Sequence, residues 1–141
     1  MKIVQGILSL TLGLSALVGF QILISDNWLW SVAPSHALGL IGFVVIDIGL
    51  AAVVLTRTTL GAMGGSIISI TQFGAMIADS TVGQPMGVPA AAFRNHLLGD
   101  ISYLGLLVIQ IAILAVSITV LTIPLVHRNV RWRLTLPKRS H

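Results

Sequence analysis

The chain has 141 residues, of which 55% are hydrophobic and only 9% charged, with no cysteine. Soluble domains carry about 25% charged residues, so this composition excludes an ordinary water-covered fold and indicates an integral membrane protein. Without thiols there is no disulfide scaffold and no thiolate-held zinc or iron–sulfur site, and without Glu no Glu-based di-iron bundle. The net charge of +4 is concentrated at one end beside an apolar segment, which points to a membrane surface and argues against nucleic acid.

A helix needs about 20 mostly apolar residues to cross a bilayer, and four stretches qualify: residues 3–24, 36–55, 59–78 and 101–126. The expected fold is therefore all-α, an integral membrane four-helix bundle in a single membrane domain over residues 1–126. The first stretch follows Met1 and Lys2 as a signal peptide would, but it exceeds the usual apolar core of about 7–15 residues and lacks a convincing small-x-small cleavage site. A retained anchor is expected. Asp26, Asn27 and Pro34 fill the first gap, and Thr56, Arg57 and Thr58 form a second gap short enough to force an antiparallel hairpin. The third gap, Asp79 to Asp100, contains Gly83, Pro85, Gly87 and Pro89, so its first half is expected to be an irregular loop.

Pro89 followed by three alanines suits a helix start. A single helix from there to Val126 would be far longer than a bilayer needs, and Gly99-Asp100 supplies a stop and a fresh N-cap. A short interfacial helix over residues 89–98 is expected in this third connection. Beyond it, residues 127–141 form a basic tail.

Lys and Arg favour the cytoplasmic side. With four spans both termini share a face, and that face holds Lys2, Arg57, Arg128, Arg131, Arg133, Lys138 and Arg139 against Arg94 alone opposite. Both termini are thus expected in the cytoplasm of a multi-pass cell-membrane protein. Asp26, Asp79 and Asp100 fall on the outer side, where Trp28 and Trp30 serve as interfacial anchors, and Arg94 is expected to pair with Asp79 or Asp100. The tail residues Arg128, Arg131, Arg133, Lys138 and Arg139 are expected to contact anionic lipid, each worth about 1 kcal/mol near the surface.

Small residues mediate packing between membrane helices. Gly6, Ser9, Gly13 and Ala16 form one groove on the first helix, and Gly61, Gly65 and Ser69 a ladder on the third. These either pack within the chain or dock another integral membrane subunit. His96, Tyr103, Gln110, Ser117 and Pro124 recur every seven residues, as do Gly65, Gln72 and Asp79. Residues at that interval share a helix face with slow drift, so two polar seams are expected on the third and fourth spans.

Asp47 is the most informative residue. It falls near the middle of the second span, where a charge costs about 2.5–3.5 kcal/mol on insertion scales. No basic residue of the chain reaches that depth, so Gln110, Gln72 and Ser69 are its candidate partners and the carboxyl is expected to be largely neutral. Asp47, Gln72 and Gln110 are accordingly the candidates for handling protons or meeting a partner subunit. His36, Arg94, His96, Asp79 and Asp100 make up an outer polar cluster. Their spacing matches no metal or haem motif, so no metal or other cofactor is expected, and a histidine at the interface reads by default as an amphipathic side chain.

No nucleophile triad or phosphate loop is present, so catalytic residues are not expected. The sequence is read first as a non-catalytic accessory subunit of a larger membrane complex, by analogy an energy-transducing oxidoreductase or membrane-bound monooxygenase. The alternative is a homo-oligomeric channel or a proton-coupled transporter that uses Asp47.

Overall fold

The computed structural model describes residues 2–83, 85 and 87–135, with the backbone alone described over 124–135. Six helices follow one another: α1 (Lys2–Ser25), α2 (Asn27–Val32), α3 (Pro34–Thr56), α4 (Thr58–Thr81), α5 (Ala90–Gly99) and α6 (Ile101–Thr135). No strand occurs among the described residues. Helices α1, α3, α4 and the 101–123 part of α6 are each long and apolar enough to cross a membrane, which matches the four expected spans to within two or three residues at most ends. The exception is α6, whose backbone stays helical to Thr135, past the expected boundary at Val126.

The breaks have local causes. Asp26 stops α1 and caps α2, its Oδ1 accepting from the Leu29 amide at 2.8 Å, which satisfies a donor that the helix start leaves open. Helix α2 was not foreseen from the sequence. Pro34 opens α3 in the first-turn position it tolerates, and Arg57 alone separates α3 from α4. Pro89 precedes α5 as expected. Asp100 then caps α6, accepting from the Ser102 amide at 2.8 Å.

The four long helices pack in a closed ring, α1 to α3, α3 to α4, α4 to α6 and α6 back to α1. Ring neighbours run antiparallel. On α1 and α3, Gln5 Nε2 bonds the Val54 and Leu55 carbonyls at 2.8 Å, Ser9 Oγ bonds the Ala51 carbonyl at 2.9 Å, and Gly19 lies by Val44. Gly61 lets α3 and α4 touch, since a Cβ there would come within 2.7 Å of the Val54 Cα. Gly65 does the same for α6, where Ser117 Oγ would lie 2.8 Å from an added Cβ.

One end of the ring carries Asp26, Asp79 and Asp100 together with α2 and α5; the other carries Lys2 and Arg57. These are called the acidic and basic ends. The interior forms two apolar clusters. Ile22, Leu29, Met76, Phe93, Leu97, Tyr103 and Leu106 belong to the one at the acidic end. Leu8, Leu12, Val54, Ala62, Ile68, Ile113 and Val120 form the one at the basic end.

Candidate functional site

Between the two clusters each long helix contributes one polar side chain. Ser15 from α1, Asp47 from α3, Gln72 from α4 and Gln110 from α6 are all 2% exposed or less. They lie nine to thirteen residues in from the acidic-end termini of their helices, roughly 14–20 Å at 1.5 Å per residue. Membrane interiors offer no water to such groups, so they must find partners in the protein or bear a desolvation cost.

Part of that demand is met by a hydrogen-bonded chain across three helices. Gln110 Nε2 donates to Ser15 Oγ at 2.8 Å, and Ser15 Oγ donates to Asp47 Oδ2 at 2.5 Å. Ser15 is therefore the hinge of the chain, accepting from one side and donating to the other. The rest is unmet: Asp47 Oδ1, Gln72 Oε1, Gln110 Oε1 and Ser117 Oγ are buried without a partner among the described residues. All four can accept a hydrogen bond.

Of the partners expected for Asp47, Gln110 reaches it through Ser15, whereas Ser69 Oγ turns back to the Ser66 carbonyl at 3.1 Å. Gln72 shares the layer but bonds neither Asp47 nor Gln110. Tyr103, Gln110 and Ser117 all lie on the buried face of α6, and Gly65, Gln72 and Ser80 on that of α4. The two faces meet, with Tyr103 Oη donating to the Met76 carbonyl at 2.5 Å. Pro124 lies outside the described side chains.

Above the layer, toward the acidic end, a half-open cavity of about 300 Å³ runs between the helices. Asp26, Asp79, Asp100 and His36 stand at its upper wall; Gln72, Ala75 and Phe43 reach deepest. Gln72 thus belongs both to the cavity wall and to the polar layer, and Phe43 precedes Asp47 by about one turn on α3. Below the layer the basic-end cluster of leucine, isoleucine and valine closes the interior. Of the four layer residues only Gln72 lines the cavity.

The carboxylates at the acidic end are served by histidines. His36 Nε2 lies 3.1 Å from Asp79 Oδ1, tying α3 to α4, and His96 Nε2 lies 2.7 Å from Asp26 Oδ2, tying α5 to the α1–α2 junction. His96 also packs on Trp28 in a tilted arrangement with ring centres 4.1 Å apart, and the His36 ring meets Phe93 edge-on at 5.4 Å. Both histidines are half-exposed and each joins two helices through a carboxylate. The expected Arg94 pairing fails. Arg94 is exposed, it forms no ion pair among the described residues, and Asp79 and Asp26 have imidazole partners instead, because α5 buries Phe93 and Leu97 and turns position 94 outward. Asp100 lines the cavity while its Oδ1 caps α6.

No set of three or more His, Asp or Glu side chains among the described residues is placed to hold a metal ion. The small-residue surfaces divide. Ser9 and Ala16 face inward, as do Gly61, Gly65 and Ser69, while a Cβ added at Gly6 or Gly13 would meet nothing within 4 Å. Arg128, Arg131 and Arg133 lie on the helical backbone of α6 with side chains outside the described set, and Lys138 and Arg139 lie outside the described residues. Ser15 went unnoticed in the sequence because it sits among small residues of α1 with no local mark of its role. Comparison with protein-family models, curated proteins and solved structures finds no match.

Proposed function

We propose that this protein handles protons in a membrane, with Asp47 as the group that takes up and releases the proton and the cavity as its access from the acidic end. The observation that carries the proposal is the buried Gln110–Ser15–Asp47 chain, with Asp47 about one helical turn from Phe43, which lines a half-open, acid-lined cavity. Asp47 is the one ionisable side chain of the buried layer, and Ser15 holds its carboxyl in one orientation whichever protonation state it adopts. The apolar cluster below prevents free leakage. Such one-sided access suits a proton-coupled transporter or the proton-loading element of a larger assembly, and it does not suit an open pore.

The positive-inside distribution supports a reading with the acidic end outside the cytoplasm and both termini in it. Proton uptake by the purified protein tests the proposal. After a pH step, followed with a pH-indicating dye, the wild type should bind or release about one proton per chain more than Asp47→Asn. Identical titration of the two proteins would refute it.

The accessory-subunit reading is second. It no longer draws on Asp47, which has partners in its own chain, but Gly6 and Gly13 still present open backbone on the outer face of α1, as a docking helix would require. Native mass measurement after mild detergent extraction separates the two. Co-migration with larger, different chains supports the subunit reading.

A further inference from the structure

We infer that the cavity at the acidic end opens sideways into the membrane, between α3 and α4, and takes up the hydrocarbon chain of a bilayer lipid. The inference goes beyond proton handling and concerns the cavity and its mouth alone.

The exposure of the lining residues locates the mouth. Leu29 of α2, Phe93 and Leu97 of α5, and Tyr103 and Leu106 of α6 line the space and are all buried, as is Ile22 of α1. Because α2 and α5 sit at the acidic end of the ring, Leu29, Phe93 and Leu97 close the space there. The exposed lining residues are Ser35 and Gly39, both on α3.

Helix register explains why the gap lies at Gly39. Helices α3 and α4 are joined by His36 and Asp79, 3.1 Å apart, and further down by Leu50 against Gly64 and Val54 against Gly61. That antiparallel register sets Gly39 opposite Ala75, a half-buried residue that also lines the cavity. Two small residues therefore stand where the contacts on either side use large ones, and a Cβ added at Gly39 would meet nothing within 4 Å.

Depth selects the occupant. Helix α3 has 23 residues, about 35 Å at 1.5 Å per residue, against roughly 30 Å of hydrocarbon. Gly39 lies five residues in from Pro34, about 7.5 Å along the axis, so with the span centred the mouth lies below the headgroups and meets acyl chains. Water there would need two to four polar partners, whereas a hydrocarbon chain gains dispersion contacts with Leu40, Phe43 and Met76. The volume of about 300 Å³ equals roughly ten waters at ~30 Å³ each. A methylene is about as large as a water, so the distal part of one acyl chain fits while its headgroup stays at the bilayer surface. Hydrocarbon and water exclude one another in this space, so an inserted chain competes with the proposed proton route to Asp47.

Photolabelling of the protein in phosphatidylcholine vesicles tests this, with a small fraction of the lipid carrying a diazirine near the end of one acyl chain. Peptide mass mapping after irradiation should find adducts on outward Ile41 and Ile70 and also on Met76 and Leu106. The last two are only 6% and 1% exposed, out of reach of lipid that stays outside the ring. Gly39→Leu, which places a side chain in the mouth, should lose most of the Met76 and Leu106 adducts while Ile70 still labels. Ala75→Leu should do the same from the other side if Gly39→Leu does not fold. Gly42→Leu, at a position equally open but outside the lining, should label as the wild type does. Adducts confined to outward side chains, interior adducts undiminished in both Gly39→Leu and Ala75→Leu, or an equal loss in Gly42→Leu would overturn the inference. None of these results decides whether Asp47 exchanges a proton, so the two proposals fail separately.

Discussion

Replacing Ser15 by alanine removes one oxygen atom and two hydrogen bonds. Ser15 Oγ is both the acceptor for Gln110 Nε2 and the donor to Asp47 Oδ2. Asp47 Oδ1 and Gln110 Oε1 already lack partners, so the substitution leaves both side chains with none. Side-chain hydrogen bonds between membrane helices average about 0.6 kcal/mol and reach about 1.7, giving a range of about 1–3.5 kcal/mol for two. Newly orphaned buried polar groups cost about 1–3 kcal/mol each in general, which places the expected loss in the upper half, about 2–3 kcal/mol. The volume change is too small to add a cavity term of comparable size. Reversible unfolding in mixed micelles, followed by far-ultraviolet circular dichroism, measures the loss. A cycle with Gln110→Met isolates the pair: the double variant should be less destabilised than the two single effects together by about 0.5–1.7 kcal/mol. A loss below about 0.5 kcal/mol for Ser15→Ala, or strict additivity in the cycle, would refute the three-helix chain.

Gly61→Ala should destabilise by about 1–3 kcal/mol, because its Cβ would press on the Val54 backbone, while Gly49→Ala, with open space around it, should change stability by less than about 1 kcal/mol; the same unfolding assay reads both. His96→Ala should accelerate hydrogen exchange over α5, and His96→Phe, which keeps a ring against Trp28 but loses the bond to Asp26, should have an intermediate effect. Cysteines placed at Thr56 and Val82, at opposite ends of the ring, should react with an impermeant reagent from opposite sides of a membrane, Val82 from outside. Labelling of both from one side would remove the topological part of the proposal.

The spans were legible because their signal is long and redundant: some twenty apolar residues in each, interrupted by Asp26, Arg57 and the proline-rich stretch before α5. Helix α5 was legible from two local marks, Pro89 and the Gly99-Asp100 pair. Asp47 and Gln110 stood out as polar residues in apolar runs, but their bridge did not. Serine is cheap in a membrane helix and satisfies itself on its own backbone, as Ser66 does on Ala62 and Ser69 on Ser66, so nothing local distinguishes Ser15 from those. What sets it apart is the antiparallel register of α1 on α3, fixed by contacts spread from Gln5 to Gly19. The pairing of charges at the acidic end was misjudged for a related reason. Counting charges favoured Arg94, but the faces that α5 buries with Phe93 and Leu97 put His96, three residues on from Phe93, toward Asp26 and left Arg94 outside. Short helices such as α2 carry too few residues for periodicity, and only the cap at Asp26 marks its start.

Infrared difference spectroscopy of the protein in lipid bilayers tests most directly whether Asp47 exchanges a proton with the solution. A change of bulk pH should produce a carboxyl carbonyl band that shifts on transfer to deuterated water and is missing from Asp47→Asn, while the amide bands show the helices unchanged. A band that persists in Asp47→Asn, or a carboxyl in the wild type that responds neither to pH nor to deuterated water, would show that Asp47 is sealed in the interior and that the cavity above it leads nowhere.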